Sequence, residues 1–270
     1  MQLVRVNRNG QPVKGYMDGN NLYLDNGEKI SAEEAQFLAP VEPTKIIAMH
    51  LNFPSRIEAF GAKMPRWPSY FMKPVSSLAG HRAEVAKPRG TKYLNYEGEI
   101  ALVIGKRAKN VSRQDAWDYI SGYSPSCDFG LHDFRTSDAG SMLRVKGQDG
   151  FCPIGPSLIP ARDVDPHNLT LKTYVNGEIV QEDHTSTLLF PYDYVIADLS
   201  RLITLEPGDV ILTGTPENSR PVQPGDVVEV EIDGYARLSN SIVESHVDFA
   251  DFGAQPEDSD NAYNTAYEIE

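Results

Sequence analysis

The stretch YEGEIALVIG, residues 96–105, decides how this sequence folds and where its chemistry lies. Its alternation and its β-branched side chains predict a β-strand. Because successive side chains of a strand point to opposite faces, Glu97 and Glu99 share one face and Gly98 takes the other. Two carboxylates so placed repel each other unless a cation lies between them, so the pair indicates a site for a divalent metal ion. The alternative is a solvated face of an edge strand, which this motif alone leaves open.

A third carboxylate on another element would complete such a site and leave room for substrate or water. The segment SRQDAWDYISGY, residues 112–123, predicts a helix with Ser112 as its N-cap and Gly122 near its end. Asp128 follows this predicted helix. It is therefore the best-placed candidate for the third metal ligand.

The rest of the chain consists mainly of predicted strands broken by turns. Residues 1–40 predict a small β-meander followed by a short capped helix at SAEEAQFL, 31–38. Further on, Asn176 and Gly177 predict a hairpin turn, and the apolar spacing predicts a helix at about 192–202. We therefore expect a β-rich α+β protein. Its expected parts are a small N-terminal β-rich domain (1–43), a main catalytic domain (44–245) and an acidic, flexible C-terminal tail (246–270).

Composition narrows the classes of partner and compartment. The formal net charge of −13, with no basic stripe in the sequence, argues against nucleic acid as a partner. The sequence shows no signal-peptide pattern and no apolar run of about 18 residues, so we expect no membrane partner. The two cysteines, Cys127 and Cys152, form no disulfide framework, which fits a reduced compartment. We expect a cytoplasmic protein.

Two further stretches carry side chains of the kind that line binding sites. KGQDGFCPIGP, residues 146–156, places a lysine, an aspartate and a cysteine between strand signals, although a structural Gly/Pro turn is the alternative. Cys152 has no base beside it, so we expect a buried structural thiol rather than a nucleophile. ThrGlyThrPro, residues 213–216, follows an apolar strand and either holds a carboxylate or forms a plain turn.

Three motifs together resemble the fumarylacetoacetate hydrolase family in their order and separation: YEGEIALVIGK (96–106), KGQDGFCPIGP (146–156) and ITLEPGDVILTGTP (203–216). The resemblance runs from about Lys45 to about Glu244. It implies a mixed β-sandwich roll, usually dimeric, that binds Mg2+ or Mn2+. By this resemblance the metal ligands are Glu97, Glu99 and Asp128.

The resemblance also implies roles for residues around the metal. The family's loop lysine matches Lys146, a candidate proton shuttle, and its loop aspartate matches Asp149. The threonine of its TGTP motif matches Thr215, and a glutamine that approaches the substrate matches Gln181. Asn52 matches the first position of a lid motif. We therefore expect these five residues to contact or convert the substrate.

The lid motif departs from that of hydrolytic members, which resembles NYxxHxxE and uses its His and Glu to activate water. In LNFPSRIEA, residues 51–59, Arg56 falls on the His position and Ala59 on the Glu position. The water-activating pair is therefore missing, unless His50 or Glu58 replaces it. An arginine at this place also suits a substrate with a second carboxylate.

A second departure follows the TGTP motif. AsnSerArgPro, residues 218–221, replaces the family's glycine-rich continuation, and its Arg220 contacts either the substrate or only the surface. Loss of the water-activating pair disfavours C–C hydrolysis. Decarboxylation needs only an electron sink, and enol–keto isomerisation needs the same sink and a proton shuttle.

The sequence therefore predicts a metal-dependent decarboxylase or isomerase of a 2-oxo di- or tricarboxylic acid in aromatic catabolism. The DGFCPIG loop is similar to that of bacterial enzymes that decarboxylate 5-oxopent-3-ene-1,2,5-tricarboxylate and isomerise 2-hydroxyhepta-2,4-diene-1,7-dioate. The alternatives are an acylpyruvate or fumarylpyruvate hydrolase, an oxaloacetate decarboxylase, and a protein that binds a 2-oxo acid without converting it. We expect a homodimer with a small-molecule ligand.

Overall fold

The computed structural model describes residues 1–138 and 140–269, and most of its secondary structure is β. The strands are β1 (Gln2–Arg8), β2 (Gln11–Asp18), β3 (Asn21–Leu24), β4 (Lys29–Ser31), β5 (Gln36–Leu38), β6 (Ile46–His50), β7 (Ser69–Lys73), β8 (Leu78–Ala79), β9 (Glu84–Lys87), β10 (Leu94–Asn95), β11 (Gly98–Ile104), β12 (Ile120–Cys127), β13 (Gly130–Leu131), β14 (Cys152–Pro153), β15 (Ile159–Pro160), β16 (Thr170–Val175), β17 (Glu178–His184), β18 (Val210–Leu212), β19 (Val227–Ile232) and β20 (Ala236–Glu244). The α-helices are α1 (Pro54–Ala59), α2 (Arg135–Asp138), α3 (Leu143–Lys146), α4 (Tyr192–Leu202) and α5 (Asp260–Tyr267). No helix within the described ranges has the length and apolar character needed to cross a membrane.

The N-terminal strands form a sheet of their own, in the order β4-β3-β2-β1-β5. Its buried face carries a small apolar cluster that is separate from the main core and is formed by Val4, Val6, Leu22, Leu24, Ala35 and Phe37. A backbone bridge between Leu3 and Leu158 joins this sheet to the rest of the protein. The first part of the chain therefore packs around its own core.

Two mixed sheets build the main body. One has the order β15-β12-β11-β18-β6-β7 and the other β17-β16-β19-β20-β9. Each contains one parallel pair, β18 with β6 and β20 with β9, among antiparallel neighbours. A single large apolar cluster fills the body. The β-rich α+β class with mixed sheets, predicted from the sequence, is confirmed.

The two sheets pack closely against each other at Gly98. A Cβ atom added there would lie 1.8 Å from Thr173 Oγ1 on β16, so any other residue would force the Thr173 side chain out of its place. The backbone N–H of Gly98 also donates to Gln181 Oε1 of β17, at 3.1 Å. The glycine between the two glutamates is therefore required by the packing between the sheets. This agrees with the prediction that Gly98 faces away from the two carboxylates.

The predicted helix at 31–38 is wrong. Ser31 ends β4, its Oγ accepts from the backbone N–H of Glu33 in a turn, and residues 36–38 form β5. The apolar side chain of Phe37 is buried opposite Val6 of β1. The serine is therefore a turn residue rather than an N-cap, because pairing with a distant strand outweighs the local capping signal.

The predicted helix at 112–123 is also wrong. It contains a single 3-10 turn, Ala116–Tyr119, after which Ile120–Cys127 forms β12. β12 lies between β11 and β15, and most of its residues are buried on both faces of the sheet. Asp128 therefore follows a central strand rather than a helix. The hairpin at Asn176-Gly177 and the helix at 192–202 lie where they were predicted.

The C-terminal segment, residues 246–270, contains a helix that the sequence analysis did not predict. Helix α5 begins where Ser259 Oγ accepts from the backbone N–H of Ala262. Ala262 and Ala266 are buried against Tyr93, whose hydroxyl group donates to Asp258. The composition of this segment does not reveal these contacts, because their partners lie far earlier in the chain.

We expect Gly98→Ala to lower the free energy of unfolding by about 1–3 kcal/mol, the usual cost of overpacking a core. Urea denaturation measures the change. Gly140→Ala is the control, because a Cβ atom added there meets nothing within 4 Å. The double variant Gly98→Ala/Thr173→Gly removes the clash and should recover part of the stability. A Gly98→Ala protein as stable as the original would contradict the close approach of the sheets.

Candidate metal centre and active site

A cavity of about 560 Å³ lies beside the start of β11, and helix α1 forms one of its walls. Glu97, Glu99 and Asp128, the three candidate metal ligands, all line it. Each can place one carboxylate oxygen within 4.8 Å of the others, and all three residues are buried. The structure therefore brings together the three carboxylates singled out from the sequence.

Strand pairing explains why Asp128 meets the two glutamates. β11 and β12 are antiparallel neighbours, with Gly98 opposite Cys127. One residue further, the backbone N–H of Asp128 donates to the carbonyl of Glu97, at 2.8 Å. The third ligand is thus fixed by the ladder between two central strands.

The carboxylates differ in their electrostatic environment. Burial, followed by the charges of Asp128 and Glu97, raises the pKa of Glu99 well above its usual value, although the N–H of Gly214 donates to its Oε2 at 2.7 Å. Burial also acts to raise the pKa of Glu97, but Lys146 and Arg56 outweigh it and the pKa is lowered. Negative charge is therefore crowded around Glu99. A hard divalent cation relieves this crowding, and the all-oxygen donor set fits such an ion.

Lys146 lies against two of the three carboxylates. Its Nζ is 2.7 Å from Glu97 Oε2 and 3.1 Å from Asp128 Oδ2, and it donates to the Asp128 carbonyl at 2.8 Å. Burial acts to lower the pKa of this lysine, but Asp128 and Glu97 outweigh it and the pKa is raised. Gly130 leaves room for the side chain, since a Cβ atom there would lie 2.9 Å from Lys146 Cε. Lys146 is therefore held as an ammonium group at the cavity wall.

Lys73 is a second buried lysine at the centre, and the sequence analysis missed it. It is 2% exposed, pairs with the Asp128 carboxylate and donates to the Phe151 carbonyl at 3.2 Å. Its sequence signal was weak, because a lysine that ends an apolar strand is usually solvated. The structure shows that it orients the third candidate ligand.

Gln181 and Thr215 both lie near the start of β11 but differ in their exposure to the cavity. Thr215 lines the cavity. Gln181 is buried behind it and donates to Thr215 Oγ1 at 3.0 Å and to the Pro216 carbonyl at 2.9 Å, while its own oxygen accepts from Gly98. Gln181 thus fastens the TGTP turn to β11 and is not among the residues that line the cavity.

Asn52 also holds backbone instead of facing the cavity. Its Nδ2 donates to the carbonyls of Thr213 and Phe190, at 2.9 and 3.2 Å, and its Oδ1 accepts from the N–H of Phe190. The lid segment before α1 is thereby attached to the end of β18. Asn52 is not among the residues that line the cavity.

The other lid residues are divided between the cavity and solvent. Arg56 is buried at the cavity wall and its Nη2 donates to Glu97 Oε1 at 3.0 Å. His50 also lines the cavity, and burial followed by the charge of Lys146 lowers its pKa. Glu58 is exposed and does not line the cavity, because the buried side of α1 is formed by Arg56 and Ile57. The structure does not place Glu58 as a base.

The loop after α3 also differs from expectation. Asp149 is exposed and is not among the residues that line the cavity. Cys152, by contrast, is fully buried, and burial raises the pKa of its thiol to about 12, as expected for a structural cysteine.

His132 is a second residue that the sequence analysis missed. It lines the cavity, is 2% exposed, and neither ring nitrogen has a hydrogen-bond partner among the described residues. Burial, followed by the charges of Lys146 and Arg56, lowers its pKa well below the usual value. A neutral imidazole can donate one hydrogen bond and accept another, so His132 offers both to a ligand. Its position in GLHDF, after Asp128, gave no distinguishing signal.

Comparison with known proteins adds independent information. Residues 45–243 match the family model for the fumarylacetoacetate (FAA) hydrolase C-terminal region. An Escherichia coli protein named 4-hydroxyphenylacetate degradation bifunctional isomerase/decarboxylase is 41% identical over 199 residues, which is 73% of this chain and 46% of that protein. The chain therefore spans about half the length of the curated relatives of this name.

Solved structures agree with this relationship. The 5-carboxymethyl-2-hydroxymuconate delta-isomerase of Mycobacterium smegmatis is 32% identical, with a TM-score of 0.82, and the match covers 92% of this chain and 100% of that one. A maleylpyruvate hydrolase from Sphingobium sp. SYK-6, in complex with manganese (II) and pyruvate, is 28% identical, with a TM-score of 0.78 and coverage of 91% and 100%. Matching motifs, matching fold and a buried carboxylate triad lead to one conclusion: this chain belongs to the fumarylacetoacetate (FAA) hydrolase C-terminal family, whose named relatives here are enzymes.

Proposed function

We propose that this chain is a metal-dependent enzyme that decarboxylates or isomerises a 2-oxo di- or tricarboxylic acid during the breakdown of aromatic compounds. The proposed type is 5-oxopent-3-ene-1,2,5-tricarboxylate decarboxylase or 2-hydroxyhepta-2,4-diene-1,7-dioate isomerase. One observation carries the proposal: a buried carboxylate triad and an arginine line the same cavity. The triad suits a metal-chelating 2-oxo acid, and the arginine suits a second carboxylate. The names of the relatives support the same class of reaction.

Glu97, Glu99 and Asp128 would hold the metal ion, which we propose to be Mg2+ or Mn2+. When bound, such an ion supplies positive charge beside the oxygens of the 2-oxo acid, where negative charge develops during the reaction. Lys73 and Lys146 orient Asp128, and Gly214 orients Glu99. The protein thus presets the positions of the ligands before the substrate arrives.

Lys146 is the proposed proton donor. In decarboxylation the C–C bond to the leaving carboxylate breaks, its electron pair moves towards the 2-oxo group, and the carbon takes a proton from Lys146 Nζ. In isomerisation Lys146 Nζ gives a proton to the conjugated carbon, and the neutral amine that is left takes the proton of the enol hydroxyl. Lys146 suits both reactions because its ammonium group lies at the cavity wall. Its Nζ is held by Asp128 and Glu97, so its position is defined.

C–C hydrolysis is the second candidate, and one observation favours it. His50 lines the cavity with a lowered pKa, so it is a neutral imidazole that can accept a proton from water. The lid provides no carboxylate to pair with His50 in the cavity, because Glu58 is exposed. The similar maleylpyruvate hydrolase is named for this type of reaction. Oxaloacetate decarboxylation uses the same proposed groups as the leading reaction, so substrate comparison must separate the three.

Metal binding should depend on pH because of Glu99. Because the pKa of Glu99 is raised, a proton must leave this carboxyl group when the ion binds. The apparent affinity for the ion is therefore maximal above that pKa and falls about tenfold for each pH unit below it. Calorimetric titration of Mn2+ in two buffers of different ionisation enthalpy measures the released proton. Glu99→Gln should weaken binding at least about tenfold and abolish the release. Glu58→Gln is the exposed control. Binding without proton release would contradict the assignment.

Substrate comparison tests the reaction itself. We expect Mg2+-dependent loss of 5-oxopent-3-ene-1,2,5-tricarboxylate without cleavage of an acylpyruvate, and slower loss of oxaloacetate, in a spectrophotometric assay. Glu97→Ala should remove the activity because it deletes a candidate metal ligand, and Glu257→Ala, at an exposed carboxylate of the C-terminal segment, should not. Fast acylpyruvate cleavage would favour the hydrolase. If none of the three substrates is converted with either ion, the remaining alternative is a protein that binds a 2-oxo acid without converting it.

A further inference from the structure

The C-terminal segment forms part of the wall of the active-site cavity. Thr265 of α5 lines the cavity. Less than one turn later, Glu268 follows the end of the helix with its side chain only 2% exposed. An acidic side chain is rarely buried unless it is paired. Its partners therefore indicate what kind of site it occupies.

Four donors surround the Glu268 carboxylate. Arg56 pairs with it from the lid, and Arg220 Nη1 lies 3.0 Å from its Oε2. The backbone N–H groups of Asn218 and Ser219 donate to it at 2.8 and 2.9 Å. Two guanidinium groups and two consecutive backbone N–H groups form a binding site for one carboxylate.

This carboxylate site adjoins the candidate metal centre. Arg56 donates through Nη2 to Glu97 Oε1, at 3.0 Å, and through its other terminal nitrogen to Glu268. One guanidinium group therefore separates the Glu268 carboxylate from a candidate metal ligand. Arg56 is the donor of this group that lines the cavity, so a 2-oxo acid at the metal centre with a second carboxylate further along its chain would reach the carboxylate site through Arg56.

Helix α5, which ends just before Glu268, is held by few apolar contacts. Its buried cluster consists of Tyr93, Ala262 and Ala266, with Tyr267 packed against it. The ion pair of Lys92 with Asp258 is about half exposed and contributes little. Segments with so small a buried apolar surface open at low free energy, without unfolding of the sheets. Glu268 can therefore leave its site while the main body stays folded.

We propose that Arg56, Arg220 and the backbone N–H groups of residues 218 and 219 form the subsite for the distal carboxylate of a dicarboxylic 2-oxo acid. Glu268 fills this subsite as an internal competitor and is displaced when the substrate enters. The inference rests on the proposed function, because it takes a 2-oxo acid bound at the metal centre as given. It assigns a role to Arg220 and to the C-terminal helix, which the proposed chemistry does not use.

The first test compares two probes on the Mn2+-loaded protein by calorimetry: pyruvate, with one carboxylate, and 2-oxoglutarate, with two. We expect Glu268→Ala to bind 2-oxoglutarate about tenfold more tightly than the original protein. This factor corresponds to a subsite that Glu268 leaves free for about a tenth of the time in the original protein. Pyruvate affinity should change less than about twofold, because pyruvate does not reach the subsite. Glu257→Ala, an exposed carboxylate of the same segment, is the control and should change neither affinity.

Weaker or equal binding of 2-oxoglutarate by Glu268→Ala would overturn the inference, since Glu268 would then position Arg56 rather than compete with substrate. Arg220→Gln should reduce the preference for 2-oxoglutarate over pyruvate, and an unchanged preference would also count against the subsite. If pyruvate does not bind the Mn2+-loaded protein, the proposed function fails and the inference with it. Pyruvate binding together with an unchanged 2-oxoglutarate affinity in Glu268→Ala overturns the inference alone.

A second measurement needs no variant. If 2-oxoglutarate displaces Glu268, hydrogen exchange of the backbone amides in α5 should accelerate when the probe is added to the Mn2+-loaded protein, and pyruvate should leave it unchanged. The backbone amides of Tyr263 and Ile269 report on the opening of α5 directly. They donate to the carbonyls of Ser259 and Asn264, respectively. Slower exchange in α5 on addition of 2-oxoglutarate would show that the segment closes over the substrate and would overturn displacement.

Discussion

The burial of three carboxylates within 4.8 Å of one another is the constraint on which the rest of the site depends. Such a cluster is unfavourable unless positive charge is close to it. The protein supplies part of this charge through Lys146, Lys73 and Arg56, each of which pairs with at least one carboxylate. Glu99 is paired least, and its raised pKa records the remaining crowding. This imbalance is the physical reason to expect a divalent cation at this place.

The ladder between β11 and β12 and the contact between the two sheets set the geometry of the cluster. Gly98 lets β16 approach from one side while the glutamates face the cavity on the other. Gln181 and Asn52, for which the sequence resemblance implies substrate contacts, hold the TGTP turn and the lid to the main sheet. A family motif therefore marks a position near the site, whereas the hydrogen bonds in the structure show what the side chain does there.

The guanidinium group of Arg56 in the lid connects the candidate metal centre with the C-terminal segment. Arg56 stands where hydrolytic relatives are expected to carry a water-activating histidine, and it bridges Glu97 and Glu268. Under the proposed function, an arginine at this position favours a dicarboxylic acid and disfavours hydrolysis, because a guanidinium group binds carboxylates but does not accept a proton at neutral pH.

The sequence by itself determined the β-rich class, the hairpin at Asn176-Gly177, the family and the three candidate ligands. Alternation and turn residues act locally, and the ligands lie on or beside strands whose period is two. Only the tertiary structure decided that residues 112–123 end in a central strand, because pairing with β11 outweighs a capping signal. It alone placed Lys73, His132 and Glu268 at the site. Their partners lie far away in sequence, and contacts of that kind depend on how the sheets pack rather than on neighbouring residues.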